Sequence, residues 1–137
     1  MEYEIELTEK QTQIIQEALN LYFRLHLGQW QELANMVRTG WYFRHKNGKE
    51  TSMPLWGAVE KLIDTLIWIV FGFRPGESWG IRNKNVPDSA RIACDIHDVI
   101  RHQLWYDRTT GQGHGVDSDE PYSISGDPLP TIRRVAE

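Results

Sequence analysis

The segment Leu55–Phe71 limits how this chain can fold more than any other, because Leu62, Ile63, Leu66, Ile67, Trp68, Ile69, Val70 and Phe71 leave its second half with no polar side. Pro54 suits the first turn of a helix, so the stretch reads as helical. A membrane span needs about 20 apolar residues. This run is shorter and contains Glu60, Lys61 and Asp64, which leaves a central core helix, or a helix shared with a second copy of the chain. A length of 137 residues predicts a single domain, residues 1–137, with one core. So small a core does not enclose such a helix on every side, and a homodimer or a multiple of dimers is expected.

Other periodicities complete a mainly helical α+β reading. Tyr3, Ile5 and Leu7 alternate with Glu2, Glu4 and Glu6, the period of a short N-terminal strand. Thr8-Glu9-Lys10-Gln11 has the form of a capping box, after which Ile15, Leu19, Tyr22 and His26 line one side of a helix that Gly28 stops. A second helix with Trp30, Leu33 and Val37 is expected to end near Gly40, and residues 41–53 to form a hairpin about Asn47-Gly48. The last helix starts at Asp88 or Ser89. Ile92, Ile96, Val99, Ile100 and Leu104 make its apolar face, with Arg91, Asp95, Asp98 and Arg101 on the solvated one. A glycine-rich loop follows Arg108, then an edge strand within Val116–Ser125, and Pro128-Leu129-Pro130 begins a surface tail.

Charge narrows the function classes. Fifteen Lys and Arg against nineteen Asp and Glu give a net charge of −4, which disfavours a general grip on DNA or RNA phosphates. One cysteine, Cys94, excludes an internal disulfide, and the opening MEYEIELTEK lacks the form of a signal peptide, so a cytoplasmic protein is expected. No phosphate-loop, dinucleotide or zinc-type motif occurs, and no cofactor is expected. The segment Phe71–Pro87 is different. It gathers Phe73, Arg74, Trp79, Arg82, Asn83, Lys84 and Asn85 among three glycines and two prolines, with Glu77 its one acid. These are nucleotide-binding ingredients: aromatic faces stack on bases, cations pair with phosphates and carboxamides read hydroxyls or base edges. The alternative is a loop whose rings cap the core while its cations are solvated. Asp95, Asp98 and His102, at i, i+3 and i+7, raise a second possibility, a small metal-dependent nucleotide hydrolase, although i, i+4 surface pairing explains the same letters and no metal is expected. A third is a phage or host interaction module built on the six tryptophans.

With LYFRLHLGQ at 21–29, SWGIRNKNVPDSARIACDIHDVIRHQLWYDR at 78–108 and PLPTI at 128–132, the chain resembles phage proteins of the first Thoeris anti-defence family. The resemblance implies a sponge: an oligomeric, non-catalytic protein that binds the cyclic ADP-ribose signal of bacterial TIR-domain sensors, or a cyclic oligonucleotide of the kind made by cGAS-like enzymes, and holds it intact in the host cytoplasm. It also implies that an aromatic, an asparagine and arginines contact the ligand near a dimer interface. Carried over, these are Phe73, Asn83, Arg24 and Arg101, with Trp79 or Asn85 as alternates and Arg82 or Lys84 assisting at the pyrophosphate.

Overall fold

The computed structural model describes residues 1–45 and 56–135. Four α-helices run through the described residues: α1 (Glu9–Leu27), α2 (Gln31–His45), α3 (Trp56–Phe71) and α4 (Asp88–Thr109), with a 3-10 turn at Val116–Ser118. The fold is mainly helical. By its internal contacts the chain divides into two compact units, Met1–Phe23 with Pro87–Glu137, and Arg24–Val86.

In the first unit, α1 begins at the expected capping box. The Thr8 N–H donates to Gln11 Oε1 at 2.8 Å, and the Gln11 N–H donates to Thr8 Oγ1 at 3.3 Å, satisfying two donors that a helix start leaves open. Helix α4 lies antiparallel to α1. Arg108 near the end of α4 pairs with Glu9 at 3.0 Å, whereas Tyr22 Oη meets Ser89 Oγ at 3.2 Å and the Phe23 ring packs edge-on against His97 at 5.4 Å. Val99, Ile100 and Leu104 are buried as the periodicity predicts, together with Phe23, Ala90, Ala93 and Cys94.

Three sequence expectations fail here. Tyr3, Ile5 and Leu7 form no strand: Tyr3 is 89% exposed, and no strand exists among the described residues to pair with. Alternation specifies a face, but a strand forms only where a neighbour accepts its backbone hydrogen bonds. The same holds for Val116–Ser125. Its first residues wind into the 3-10 turn, closed by Ser118 Oγ, which donates to the Gly115 carbonyl at 2.7 Å and accepts from the Gly115 N–H at 3.0 Å. The third failure explains the rest of that segment. Asp95, expected on the solvated face of α4, is only 3% exposed and accepts three hydrogen bonds: from the N–H groups of Ile124 at 2.8 Å and Ser125 at 3.0 Å, and from Ser125 Oγ at 2.6 Å. The backbone donors that a strand would have used go to one carboxylate.

In the second unit, α2 packs on α3. Ala34, Ile63 and Ile67 form its buried centre, bordered by Trp30, Trp56, Val59, Phe71 and Phe73. Helix α2 passes through Gly40 to His45, so Trp41–His45 are not the first arm of a hairpin. A glycine costs a helix interior about 1 kcal/mol, too little to stop elongation. The turn at Asn47-Gly48 and the helix start at Pro54 lie outside the described residues. Helix α3 is not enclosed on every side. Ile63 and Ile67 are buried, but Leu62 at 65%, Trp68 at 58% and Ile69 at 70% are exposed.

Candidate functional site

The end of α1 and the loop after α3 meet at a glycine. Gly28, at φ +81°, closes α1 with two hydrogen bonds: its own N–H to the Leu25 carbonyl at 3.3 Å and the Gln29 N–H to the Arg24 carbonyl at 3.0 Å. This is the left-handed helix stop that glycine favours. The glycine has a second role: a Cβ at this position would lie 2.8 and 2.9 Å from the Phe73 ring. Positive φ and ring contact together lead us to expect that Gly28→Ala lowers stability by about 1–3 kcal/mol. An unchanged melting temperature would show that the ring does not sit there.

Around that contact the aromatic side chains form one group. Phe71 and Phe73 are stacked at 5.3 Å with 3° between their planes, and Trp79 meets both edge-on at 5.4 Å. Trp30 adds an edge contact to Phe71 at 5.7 Å. Hydrogen bonds hold both residues in place: the Trp79 backbone N–H donates to the Leu27 carbonyl at 2.9 Å, and the Trp30 indole Nε1–H donates to the Leu25 carbonyl at 2.9 Å. Offset and edge geometries of this kind add to the rings' burial energy. Phe73 and Trp79 nevertheless remain half-buried, so part of each ring reaches the surface.

A polar chain borders the rings. Arg24 Nη1 donates to Gln29 Oε1 at 2.6 Å, and Gln29 Nε2 donates to Ser78 Oγ at 3.2 Å, tying the last turn of α1 to the loop. Two turns shape the loop itself. The Arg74 N–H donates to Glu77 Oε2 at 2.8 Å, and the Asn85 N–H donates to Asn83 Oδ1 at 2.9 Å while the Val86 N–H reaches the Asn83 carbonyl at 3.0 Å. Asn83 therefore holds a turn whatever else it contacts. Arg74, Arg82, Lys84 and Asn85 are exposed.

The structure thus brings Arg24, Phe73 and Trp79 into one unit with Arg82, Asn83, Lys84 and Asn85. Gln29, Ser78, Trp30 and Phe71 belong to the same arrangement and were not singled out from the sequence. The glycine after YFRLHL, read only as a helix stop, was the available signal for Phe73, since a buried glycine often marks close approach. Arg101 lies in the other unit. Its Nη2 is 3.3 Å from Asp98 Oδ1 and its Nε 3.3 Å from Asp117 Oδ1, the latter at ion-pair distance but without hydrogen-bond alignment. Two carboxylates already balance this guanidinium.

The metal constellation disperses. Asp95 holds Ile124 and Ser125, Asp98 accepts from His97 Nδ1 at 2.9 Å and pairs with Arg101, and His102 Nδ1 lies 3.0 Å from the Asp117 carbonyl. A carbonyl only accepts, so the proton of His102 sits on Nδ1. Among the described residues, no group of three His, Cys, Asp or Glu side chains is placed to hold a metal ion. No protein-family model, curated protein or solved structure matches the chain.

Proposed function

We propose that this chain is a non-catalytic sponge that sequesters a cyclic ADP-ribose-type signal, with cyclic oligonucleotides as a related ligand class, and so blocks Thoeris immunity in the bacterial cytoplasm during phage infection. The observation that supports it is the half-buried Phe71–Phe73–Trp79 ring group on a loop that also carries Arg74, Arg82 and Lys84, with Arg24 at its border. A base laid on the accessible part of Phe73 would extend the Phe71–Phe73 stack, and Trp79 offers a second aromatic face. Arg24, Arg82 and Lys84 supply charge for a pyrophosphate, and Asn83 and Asn85 supply polar groups for ribose hydroxyls or base edges. Arg101, already held by two carboxylates, is not needed for this arrangement. A sponge must outcompete the signal's receptor, which calls for nanomolar affinity, about −12 kcal/mol.

The test is the fate of the ligand. Purified protein is loaded with the cyclic nucleotide, washed and heated, and the released molecule is weighed by mass spectrometry. An intact cyclic nucleotide is expected. A linear product would mean a hydrolase, and no retained ligand would leave only an interaction module.

Self-association belongs to the same proposal. Leu62, Leu66, Trp68, Ile69 and Val70 are exposed along α3, and clustered exposed apolar side chains of this kind suit an interaction surface. Light scattering at micromolar concentration is expected to give a dimer or a multiple of it, and a clean monomer would contradict this.

A further inference from the structure

A recess lies within the unit Arg24–Val86, between α2 and α3, and we infer that it binds a compact organic cation, an aliphatic ammonium or a guanidinium. The inference is independent of the nucleotide reading, which uses other residues. The recess measures about 320 Å³, near the lower end of the roughly 300–1,000 Å³ typical of small-molecule sites. Its floor is apolar, made by Ala34 and Ile63. Trp56, Glu60 and Asp64 stand on the α3 side, one helical turn apart in sequence, and Gln31 and Asn35, also one turn apart, on the α2 side. Among the described residues, no basic side chain lines it.

Two further observations give the ligand its sign and shape. Neither Glu60 nor Asp64 has a hydrogen-bond or ion-pair partner among the described residues, so two carboxylates border one small space without a direct ion pair there. The aromatic wall already takes a cation from the chain itself: the Arg38 guanidinium lies 5.5 Å from the Trp56 ring centroid, within cation–π range. Arg38 follows Gln31 and Asn35 on the same face of α2, at i+7 and i+3. It is a tethered cation beside the recess, and a free cation competes with it for the ring. An apolar floor, an indole and paired carboxylates suit a charged head on a short hydrocarbon stem better than a hydrated metal ion, which keeps its water and gains nothing from Ala34 or Ile63.

Calorimetric titration of the full chain tests this, with agmatine, which carries a guanidinium and an ammonium on one short stem, as the cation, butylurea, which lacks both charges, as the neutral control and magnesium chloride as the inorganic control. Agmatine is expected to bind saturably, butylurea not at all, and magnesium at equal concentration not to displace it. The double variant Glu60→Gln/Asp64→Asn is expected to weaken agmatine at least tenfold with a melting curve close to the parent's, since Glu60 is exposed, Asp64 is only half-buried and both replacements keep their size. Trp56→Leu should weaken it several-fold, and because Trp56 borders the core the carboxylate variant remains decisive if that protein unfolds. Arg38→Gln, which removes the tethered competitor, should tighten binding about twofold or more. A blocked Gly-Arg-Gly peptide separates the two sources of this chemistry: tighter binding than agmatine assigns the site to another protein's arginine, weaker binding to a free amine. The inference is overturned if no saturable binding is seen, if the carboxylate variant binds like the parent, if magnesium displaces agmatine, or if Arg38→Gln fails to tighten it.

Discussion

Asp95→Ala is expected to remove about 3 kcal/mol or more of unfolding free energy, the largest loss from any single polar side chain described. The carboxylate is buried and accepts hydrogen bonds at 2.8, 3.0 and 2.6 Å from Ile124 and Ser125. Hydrogen bonds to charged groups contribute about 1.5–3 kcal/mol each, with strong non-additivity when they share one acceptor. Alanine also leaves two backbone donors that are satisfied only if residues 123–127 move into water, so the loss includes the docking of that segment. Asp95→Asn keeps one acceptor oxygen and should lose roughly half as much. Urea unfolding measures both variants, and amide exchange at Ile124 and Ser125 should accelerate in step with the loss. A change below about 0.5 kcal/mol for Asp95→Ala would show that the carboxylate does not hold this segment.

Phe73→Ala is the second large effect, and it acts on binding and folding at once. Stacking of a base on an aromatic side chain contributes about 1–3 kcal/mol, so affinity for the cyclic nucleotide should fall by about one to two orders of magnitude. The same ring stacks on Phe71 and fills the space beside Gly28, so stability should also fall, by about 2 kcal/mol for a half-buried phenylalanine. Phe73→Leu separates the roles: it keeps most of the apolar volume and removes the flat face, so melting stays near that of the parent while affinity still drops. Cys94→Ala is the control, a buried residue of the other unit, expected to melt slightly earlier and bind equally well. Should Phe73→Leu bind as tightly as the parent, Phe73 is a packing residue and the base lies elsewhere.

How the site could be read from the sequence follows from distance along the chain. Phe73, Trp79, Arg82, Asn83, Lys84 and Asn85 lie within one glycine-rich segment, so composition alone was enough to group them. The link from Arg24 through Gln29 to Ser78 was not legible, because its last step joins residues 49 apart. Arg101 has a partner that local sequence does not reveal. Its sequence neighbours give no sign that Asp117, well beyond the end of α4, shares its charge.

Helices α1 and α4 were determined locally. Capping at Thr8, the stop at Gly28 and the apolar spacing of α1 and α4 each depend on residues within a turn or two, where backbone hydrogen bonds and neighbouring side chains act without help from the rest of the chain. Strands are different, because their hydrogen bonds must come from elsewhere. Tyr3–Leu7 found no strand to pair with among the described residues, and the donors of Ile124 and Ser125 went to Asp95, a choice that only packing around α4 could make. The sequence by itself therefore determined helices α1, α3 and α4 and which loop gathers rings and cations, whereas α2 runs past Gly40 into residues that read as a hairpin arm. Tertiary structure alone decided which charged side chains are buried, which face of α3 stays exposed, and that a glycine makes room for Phe73, because burial and close approach are properties of the folded chain and not of any segment.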